Sequence, residues 1–258
     1  MSAILNHPNV AQPVDQNCEL WRYMSFAKFV SMISSNKLHF ARCDLFEDSF
    51  EGSYPAQNIA DRTRIWQEKL TEAGYDEPIE HGQFMSDSSA YMHRLARTST
   101  YVSCWHRSNY ESAAMWKLYA VEDPAIAVVT KYDLLANLLP ENVYLGQVTY
   151  ADYSTDNIPE GNLLAAPMYK RLSFEHEKEV RALYLAPHAK TDQELDLGYA
   201  LNRPPVWECE LATGSLIQRI IVSPTAPKWT VDLVTDVSRK YEIDAPVTQS
   251  DLYGDAVF

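Results

Sequence analysis

The sequence predicts an α+β protein in which flanking helices cover a mixed or antiparallel sheet. Short apolar runs typical of strands intermix with amphipathic helical segments, and they lack the regular βαβ rhythm of a parallel sheet. A hydrophobic content of 46% and an aromatic content of 12% are ordinary for a globular domain, so disorder is not expected. We expect a loose lead-in over residues 1–19 and one globular domain over residues 20–258.

The chain opens with a predicted β-α-β unit. "LWRYM" (Leu20–Met24) has strand composition, and Ser25 is a suitable N-cap for the helix that follows. Phe26 and Phe29 fall at helical spacing in that segment. "LHFAR" (Leu38–Arg42) then predicts the second strand.

The remaining elements follow from periodicity and turn residues. Helices are predicted over residues 56–73, 84–98, 111–120 and 228–242 and in "KYDLLANLL", and strands over residues 100–105 and 125–130 and in "VYLGQVTYADY", "SFEHEKEVRALYL", "PPVWECELA", "LIQRIIVSP" and "PVTQS".

Charge and composition exclude several classes of protein. The chain has 22 Lys and Arg residues against 35 Asp and Glu residues, a net charge of −13, so general nucleic-acid binding is not expected. There is no apolar run of about eighteen residues and no signal-peptide pattern. The four cysteines are widely spaced and are expected to be reduced thiols. A cytoplasmic protein without a membrane span or a metal site is therefore predicted.

The stretch "SFEHEKEVRALYL" carries the most unusual charge pattern. As one strand, it would place Glu177, Glu179 and Arg181 on the same face. Such a face must be solvated or line a cleft, because unpaired buried charge is costly. Two carboxylates beside a guanidinium suit a substrate that develops positive charge, such as an oxocarbenium-like sugar. The alternative is a solvated strand face with a ladder of salt bridges.

Other stretches supply further candidate residues. Arg22 lies inside the apolar first strand, where it either extends to the edge of the sheet or binds an anion. Asp48 and Glu51 lie one helical turn apart in an acidic loop. The aromatic residues of "SCWHRSNYESAAMWKLYA" either stack on a flat ligand or belong to the core. The candidates in that stretch are Ser103, Trp105, Glu111, Trp116 and Tyr119. A Cys104–His106 nucleophile pair is disfavoured, because residues two apart on a strand point the same way without bonding.

Several motifs in order resemble a bacterial family known as domain of unknown function twenty-nine seventy-one. They are "LWRYMSFAKFVSMISSNKLHFARCDLFEDSFEG", "YVSCWHRSNYESAAMWKLYA", "FEHEKEVRAL" and "IQRIIVSP", which together span about residues 20–252. One departure lies in the acidic loop, where Glu47, Asp48 and Ser49 replace the Asn-Asp-Pro of the family pattern. Membership in that family would not name a reaction.

The opening strand–helix–strand and the late "EKE" are similar to the ADP-ribosyltransferase superfamily, which includes DNA-modifying toxins. That resemblance implies two small sheets around a cleft that binds NAD⁺. It also implies that Arg22 holds the nicotinamide-side ribose or a phosphate, and that Ser103 lies near the middle of the cleft. By the same likeness, Glu179 is the catalytic carboxylate and Glu177 orients the acceptor, although the sequence leaves open which glutamate has which role.

The resemblance also implies the remaining ligand contacts. Trp116 and Tyr119 would form walls beside the nicotinamide, and Arg181 is grouped with the cofactor-binding residues. The functional hypothesis is an NAD-consuming ADP-ribosyltransferase or glycohydrolase, a defence or toxin effector that modifies an unknown macromolecule. The alternative hypothesis is a binding module for a nucleotide or a protein on the same fold, without catalysis.

Overall fold

The computed structural model of the chain describes residues 2–119, 124–187 and 202–254. These residues form an α+β structure around a mixed, mostly antiparallel sheet, which confirms the predicted fold class. Among the described helices, none is both long and apolar enough to cross a bilayer.

Eleven strands are present in the described part of the chain. They are β1 (Glu19–Ser25), β2 (Lys37–Arg42), β3 (Thr100–Arg107), β4 (Ala125–Lys131), β5 (Val143–Gln147), β6 (Thr149–Ala151), β7 (Tyr169–Arg171), β8 (Glu179–Leu185), β9 (Val206–Glu210), β10 (Arg219–Val222) and β11 (Val247–Gln249).

Seven α-helices are described. They are α1 (Phe26–Ser35), α2 (Ala56–Glu72), α3 (Pro78–Ser99), α4 (Ala113–Tyr119), α5 (Tyr132–Leu138), α6 (Thr213–Leu216) and α7 (Trp229–Lys240). Helix α3 begins earlier than predicted because Pro78 occupies its first turn, where a missing N–H costs nothing. The predicted strand "VYLGQVTYADY" is divided into β5 and β6, which belong to different sheets.

Nine strands form the main sheet, and β6 pairs in parallel with β7 in a separate two-stranded sheet. The main path runs β11-β10-β4-β1-β3-β2-β9, while β8 pairs with both β3 and β5. The described strands thus form one branched nine-stranded sheet and one two-stranded sheet, and the expected split into two small sheets around a cleft is not confirmed. Among the strand pairs of the nine-stranded sheet that the structure describes, only β10 and β11 are parallel.

The sheet forks at β3. Strand β1 pairs with β3 only at its end, through Leu20 with Arg107 and Trp21 with His106. Strand β2 pairs with the opposite end of β3, through residues 41 and 42 with residues 102 and 101. Among the described strands, none pairs on this edge with residues 103–105, so a gap opens between β1 and β2.

The helix between the two arms of the fork has strong local signals. The Ser25 hydroxyl accepts a hydrogen bond from the Lys28 amide, which confirms the predicted N-cap. At the other end Asn36 adopts a left-handed conformation with φ of 55°, and its N–H bonds to the carbonyl of Met32. Helix α1 therefore connects β1 to β2, and both strands run antiparallel to β3.

The N-terminal segment, which was expected to be loose, packs against β5 instead. Ala3 donates a backbone hydrogen bond to Ala136, and Ile4 and Ala11 form bridges to Tyr144 and Gln147. The approach depends on Gly146, since a Cβ there would lie 2.5 Å from the Val10 side chain and 2.6 Å from the Ala11 carbonyl oxygen. No periodic pattern predicts this contact, because the segment is irregular.

Candidate functional site

A cleft of about 460 Å³ occupies the fork in the sheet. Its size lies within the range typical of small-molecule sites. Strands β1, β2, β3 and β8 and helices α1 and α4 all contribute to its walls. Residues that matter to its chemistry are Arg22, His39, Trp105, His106, Tyr119 and Glu179.

The fork brings together side chains from opposite faces of the sheet. His106 pairs directly with both Trp21 and Glu179, so these three side chains share one face. Arg22 follows Trp21 by one position, and Trp105 precedes His106 by one position. Both therefore belong to the other face of the sheet. Arg22 and Glu179 line the same cleft because the separation of β1 from β2 connects the two faces.

The charged stretch is not one strand as predicted. Glu177 ends a 3₁₀ turn over Leu172–Glu177, and β8 begins only at Glu179. Between them Lys178 has φ of 41°, a left-handed conformation that is unusual for a long side chain. Glu177 therefore does not share a strand face with Glu179 and Arg181. Glu177 nevertheless lines the cleft beside Glu179.

The carboxylates belong to a buried ion cluster of Glu51, Lys170, Glu177, Glu179 and Arg181. Arg181 binds both oxygens of Glu179, at 2.7 and 3.0 Å, and its Nη2 atom lies 2.7 Å from Glu51. The Lys170 amine lies 2.7 Å from Glu177, 3.0 Å from Glu51 and 3.2 Å from Glu179. Three carboxylates against two cations leave one net negative charge in the cluster, at the wall of the cleft.

The cluster separates the pKa values of its two cleft-facing carboxyl groups. Burial alone would raise the pKa of Glu179, but Arg181 and Lys170 outweigh it and lower that pKa to about 2. The pKa of Glu177 is raised, because burial exceeds the compensation from Lys170. Glu179 is therefore held as an anion at neutral pH, while Glu177 is the more easily protonated partner.

Arg181 does not line the cleft, contrary to its grouping with ligand-binding residues. Its side chain is 0% exposed and lies behind Glu179, where it also donates a hydrogen bond to the carbonyl of Pro167. It fixes the orientation of the Glu179 carboxylate through two parallel hydrogen bonds. The alternative, a solvated strand face with a ladder of salt bridges, is also wrong, since Glu177, Glu179 and Arg181 are all buried.

Arg22 occupies the opposite wall with few partners. Its Nη2 atom donates to the carbonyl of His39 at 2.9 Å, and its guanidinium lies 5.6 Å from the centroid of the Trp105 ring. Burial lowers the pKa of Arg22 to about 10, so it remains charged at neutral pH. No carboxylate lies within 4 Å of this guanidinium in the described ranges. The arrangement leaves donor groups of Arg22 for an anionic ligand.

Two buried polar groups on β3 lack hydrogen-bond partners among the described residues. The Trp105 indole lines the cleft and is 1% exposed, and its N–H has no acceptor. Ser103 is fully buried with an unpartnered hydroxyl, and it does not line the cleft, although it was expected near the middle. A buried N–H without an acceptor is rare in native structures, so the Trp105 indole fits a site that a ligand completes.

The aromatic candidates divide between the cleft and the core. Tyr119 lines the cleft at the end of α4. Trp116 does not, because it packs edge-on against Tyr23 at 4.9 Å in a separate apolar cluster. Its indole N–H donates to Glu111, which is thereby occupied as a structural acceptor. The reading of Trp116 as a nicotinamide wall is therefore corrected to core packing.

The acidic-loop candidates have structural partners. Asp48 forms an ion pair with Arg171 at 2.9 Å and does not line the cleft. Glu51 belongs to the buried ion cluster and supports Glu179 through Lys170 and Arg181. Sequence reasoning missed Lys170, because a lysine seven residues before the glutamates has no spacing signal of its own.

Cys104 and His106 both line the cleft, although they were set aside as a nucleophile pair. Burial and the neighbouring Glu179 raise the pKa of the Cys104 thiol well above its usual value, which disfavours a thiolate. The His106 Nδ1 atom instead lies 2.6 Å from the carbonyl oxygen of Glu177. This contact supports the earlier argument against a Cys–His dyad.

Comparisons with protein families, with curated proteins and with solved structures found no match for this chain. Both resemblances described above therefore remain predictions, and the cleft is interpreted from its own geometry.

Proposed function

We propose that the chain is an NAD-consuming enzyme of the ADP-ribosyltransferase type. One observation carries the proposal: a preorganised anion, Glu179, and a sparsely paired cation, Arg22, line a single cleft of ligand size. NAD⁺ needs both charges, because its diphosphate is anionic while its ribose becomes cationic during cleavage of the glycosidic bond.

The proposed reaction begins with cleavage of the bond between the nicotinamide nitrogen and the ribose C1′ atom. The bonding electron pair leaves with the nicotinamide, which becomes neutral, and the ribose becomes an oxocarbenium-like cation. Glu179 stabilises that cation electrostatically, since Arg181 and Lys170 keep it ionised and correctly oriented. An acceptor then adds to C1′ and loses one proton.

The opposite wall supplies the binding contacts. The Arg22 guanidinium suits a phosphate oxygen, and the unpartnered Trp105 N–H suits a second acceptor atom on the same ligand. Tyr119, at the mouth of the cleft with 46% of its surface exposed, is placed to contact the nicotinamide ring. The final acceptor is a macromolecule, as expected of a defence or toxin effector, or water in its absence.

The test is release of nicotinamide from NAD⁺ by purified protein, with and without a macromolecular extract. Glu179→Asp keeps the charge that Arg181 requires but withdraws the carboxylate from the cleft. We expect it to lower the rate by roughly 10²–10³, the typical effect of losing one electrostatic contact to the transition state. Circular dichroism and the melting temperature check that the variant folds.

Arg22→Lys tests the other wall, and Arg219→Lys is its matched control. Arg219 also lies over a tryptophan, 5.7 Å from the ring of Trp21, but it pairs with Glu19 outside the cleft. We expect Arg22→Lys to raise KM for NAD⁺ and Arg219→Lys to leave it unchanged.

Failure of folded wild-type protein to bind or cleave NAD⁺ under any of these conditions would contradict the proposal. A melting temperature that NAD⁺ raises without turnover would instead support the alternative, a nucleotide-binding module.

A further inference from the structure

We propose that His106 is the general base that takes the proton from the attacking acceptor in this cleft. The inference rests on the proposed function and assigns a residue that the resemblance to ADP-ribosyltransferases does not supply. His106 lines the cleft and pairs directly across the sheet with Glu179, which places the two side chains next to each other on one face.

A hydrogen bond fixes which ring nitrogen of His106 is available. Its Nδ1 atom lies 2.6 Å from the carbonyl oxygen of Glu177, and a carbonyl can only accept. Nδ1 therefore carries the proton, and Nε2 carries the lone pair. Nε2 has no hydrogen-bond partner in the part of the chain that the structure describes. This leaves a proton acceptor at the wall of the cleft.

The two carboxylates are poorer candidates for the same task. Both oxygens of Glu179 are bound by Arg181, and one of them also by Lys170. Glu177 is bound by Lys170 at 2.7 Å. A general base needs a pKa close to the working pH, whereas the pKa of Glu179 is lowered to about 2 and Glu177 is held in an ion pair by Lys170. Burial lowers the pKa of His106, so its ring is neutral at pH 7 and ready to accept a proton.

The proton balance of the step is simple. An acceptor hydroxyl, or water, attacks C1′ from the side of His106 and forms the new C–O bond. Its proton passes to Nε2, which produces an imidazolium with Nδ1 still bonded to the Glu177 carbonyl. Glu179, opposite on β8, is an anion that favours this cation. The imidazolium then returns its proton to solvent.

Several charged or titratable groups surround this ring. Lys178 and His176 lower its pKa from the turn before β8, and the Tyr23 ring of β1 lies 6.3 Å from it. The other groups that face the same cleft are Arg22, Lys28, His39, Cys104, Tyr119, Glu177 and Glu179. Burial lowers the pKa of both His106 and His39, and burial raises the pKa of Glu177. These three groups of the cleft are the main sources of an acid limb in the rate, and the His106 variants show whether His106 gives it.

The test compares NAD⁺ cleavage by wild-type protein, His106→Ala and His106→Gln. We expect kcat to fall by roughly 10²–10⁴, the usual contribution of general base catalysis, while KM changes little. The wild-type rate should fall at low pH with unit slope, and that limb should disappear in both variants. Added imidazole should restore part of the rate to His106→Ala as its neutral form.

The matched control is His81→Ala. His81 makes the same kind of contact, from Nδ1 to the carbonyl of Glu77 at 3.0 Å, but it lies exposed on α3 outside the cleft. If a folded His106 variant keeps the wild-type pH limb, or if imidazole fails to rescue it, the assignment of His106 is wrong while the proposed function stands. If wild-type protein does not cleave NAD⁺, both are overturned. His106→Gln provides the comparison should His106→Ala fail to fold.

Discussion

The two walls of the cleft differ in how completely their charges are satisfied. On one wall, the buried ion cluster surrounds Glu179 with two cations, which are themselves held by Glu51 and Glu177. On the other wall, Arg22 has one backbone acceptor and one aromatic neighbour. The first wall is complete without a ligand, and the second is not.

This difference in pairing fits two different roles, one in holding a charge in position and one in binding a ligand. Charges that must keep their position during a reaction are best held by a full set of partners, because reorganisation is then avoided. A charged side chain that must bind a ligand needs hydrogen-bond donors that are not already bound to protein groups. The two arginines, Arg22 and Arg181, therefore provide a direct comparison, since Arg22 lines one wall of the cleft and Arg181 lies buried behind Glu179 on the other.

The largest stability effect is expected for Arg181→Met. This change removes the cation that binds Glu179 and Glu51, and it leaves three buried carboxylates with Lys170 alone. Breaking a buried ion pair in this way costs about 3–5 kcal/mol. Urea denaturation measures the loss directly.

Arg219→Met is the control for that change. The pair of Arg219 with Glu19 is partly exposed, at 43% and 28%, and such pairs contribute less than about 1 kcal/mol. Equal losses in the two variants would show that the ion cluster is no more important for stability than a surface pair.

Acid should weaken the same wall through Glu179. Its pKa is about 2 in the folded state against an ordinary value of 4.5, so its stabilising contribution is complete above pH 4.5 and is lost as the pH falls toward 2. This lowering of the pKa corresponds to roughly 3 kcal/mol of stability. Glu177, with a raised pKa, contributes in the opposite sense.

Carbon-detected NMR titration of the side-chain carboxyl groups separates the two glutamates. We expect Glu177 to protonate first and Glu179 to remain ionised at pH 3. Titration of both carboxyl groups together near pH 4.5 would show that the ion cluster does not make their pKa values different.

Gly146→Ala tests how tightly the N-terminal segment packs against β5, behind the ion cluster. Gly146 pairs directly with Arg181, and the N-terminal segment covers it closely. A Cβ there must displace Val10 or Ala11, at an expected cost of about 1–3 kcal/mol. Hydrogen exchange of the Ile4 amide, which bonds to Val143, should accelerate. Gly161→Ala is the control, since nothing lies within 4 Å of a Cβ at that position, and it should have little effect.

Sequence reasoning recovered the elements whose signals are local. The β-α-β opening was predicted because Ser25 caps a helix of regular periodicity, and its bounds agree with the structure within one residue at the helix start. The late strand was predicted to begin at Ser173, six residues before its start at Glu179, because a left-handed Lys178 has no sequence signature, unlike a glycine.

The site was recovered only in part, for a different physical reason. Period-two patterns assign a side chain to a face of its own strand, but they do not say which strands separate. Arg22 and Glu179 lie on opposite faces and line one cleft only because the sheet forks, and Ser103 does not line that cleft. Lys170 was missed because ion clusters are assembled by tertiary contacts. The spacing of residues along the chain does not encode them.

Arg22→Met gives the smallest expected change in stability, and it tests most directly whether the two walls of the cleft differ. Burial lowers the pKa of Arg22, which means that folding disfavours its charge, and methionine keeps hydrocarbon against Trp105. We expect urea denaturation to show a change within about 1 kcal/mol, neutral or stabilising. Wild-type protein should gain melting temperature with added NAD⁺, and Arg22→Met should not. A loss of stability as large as that of Arg181→Met would mean that Arg22 is also a structural group. The second wall would then be complete without a ligand.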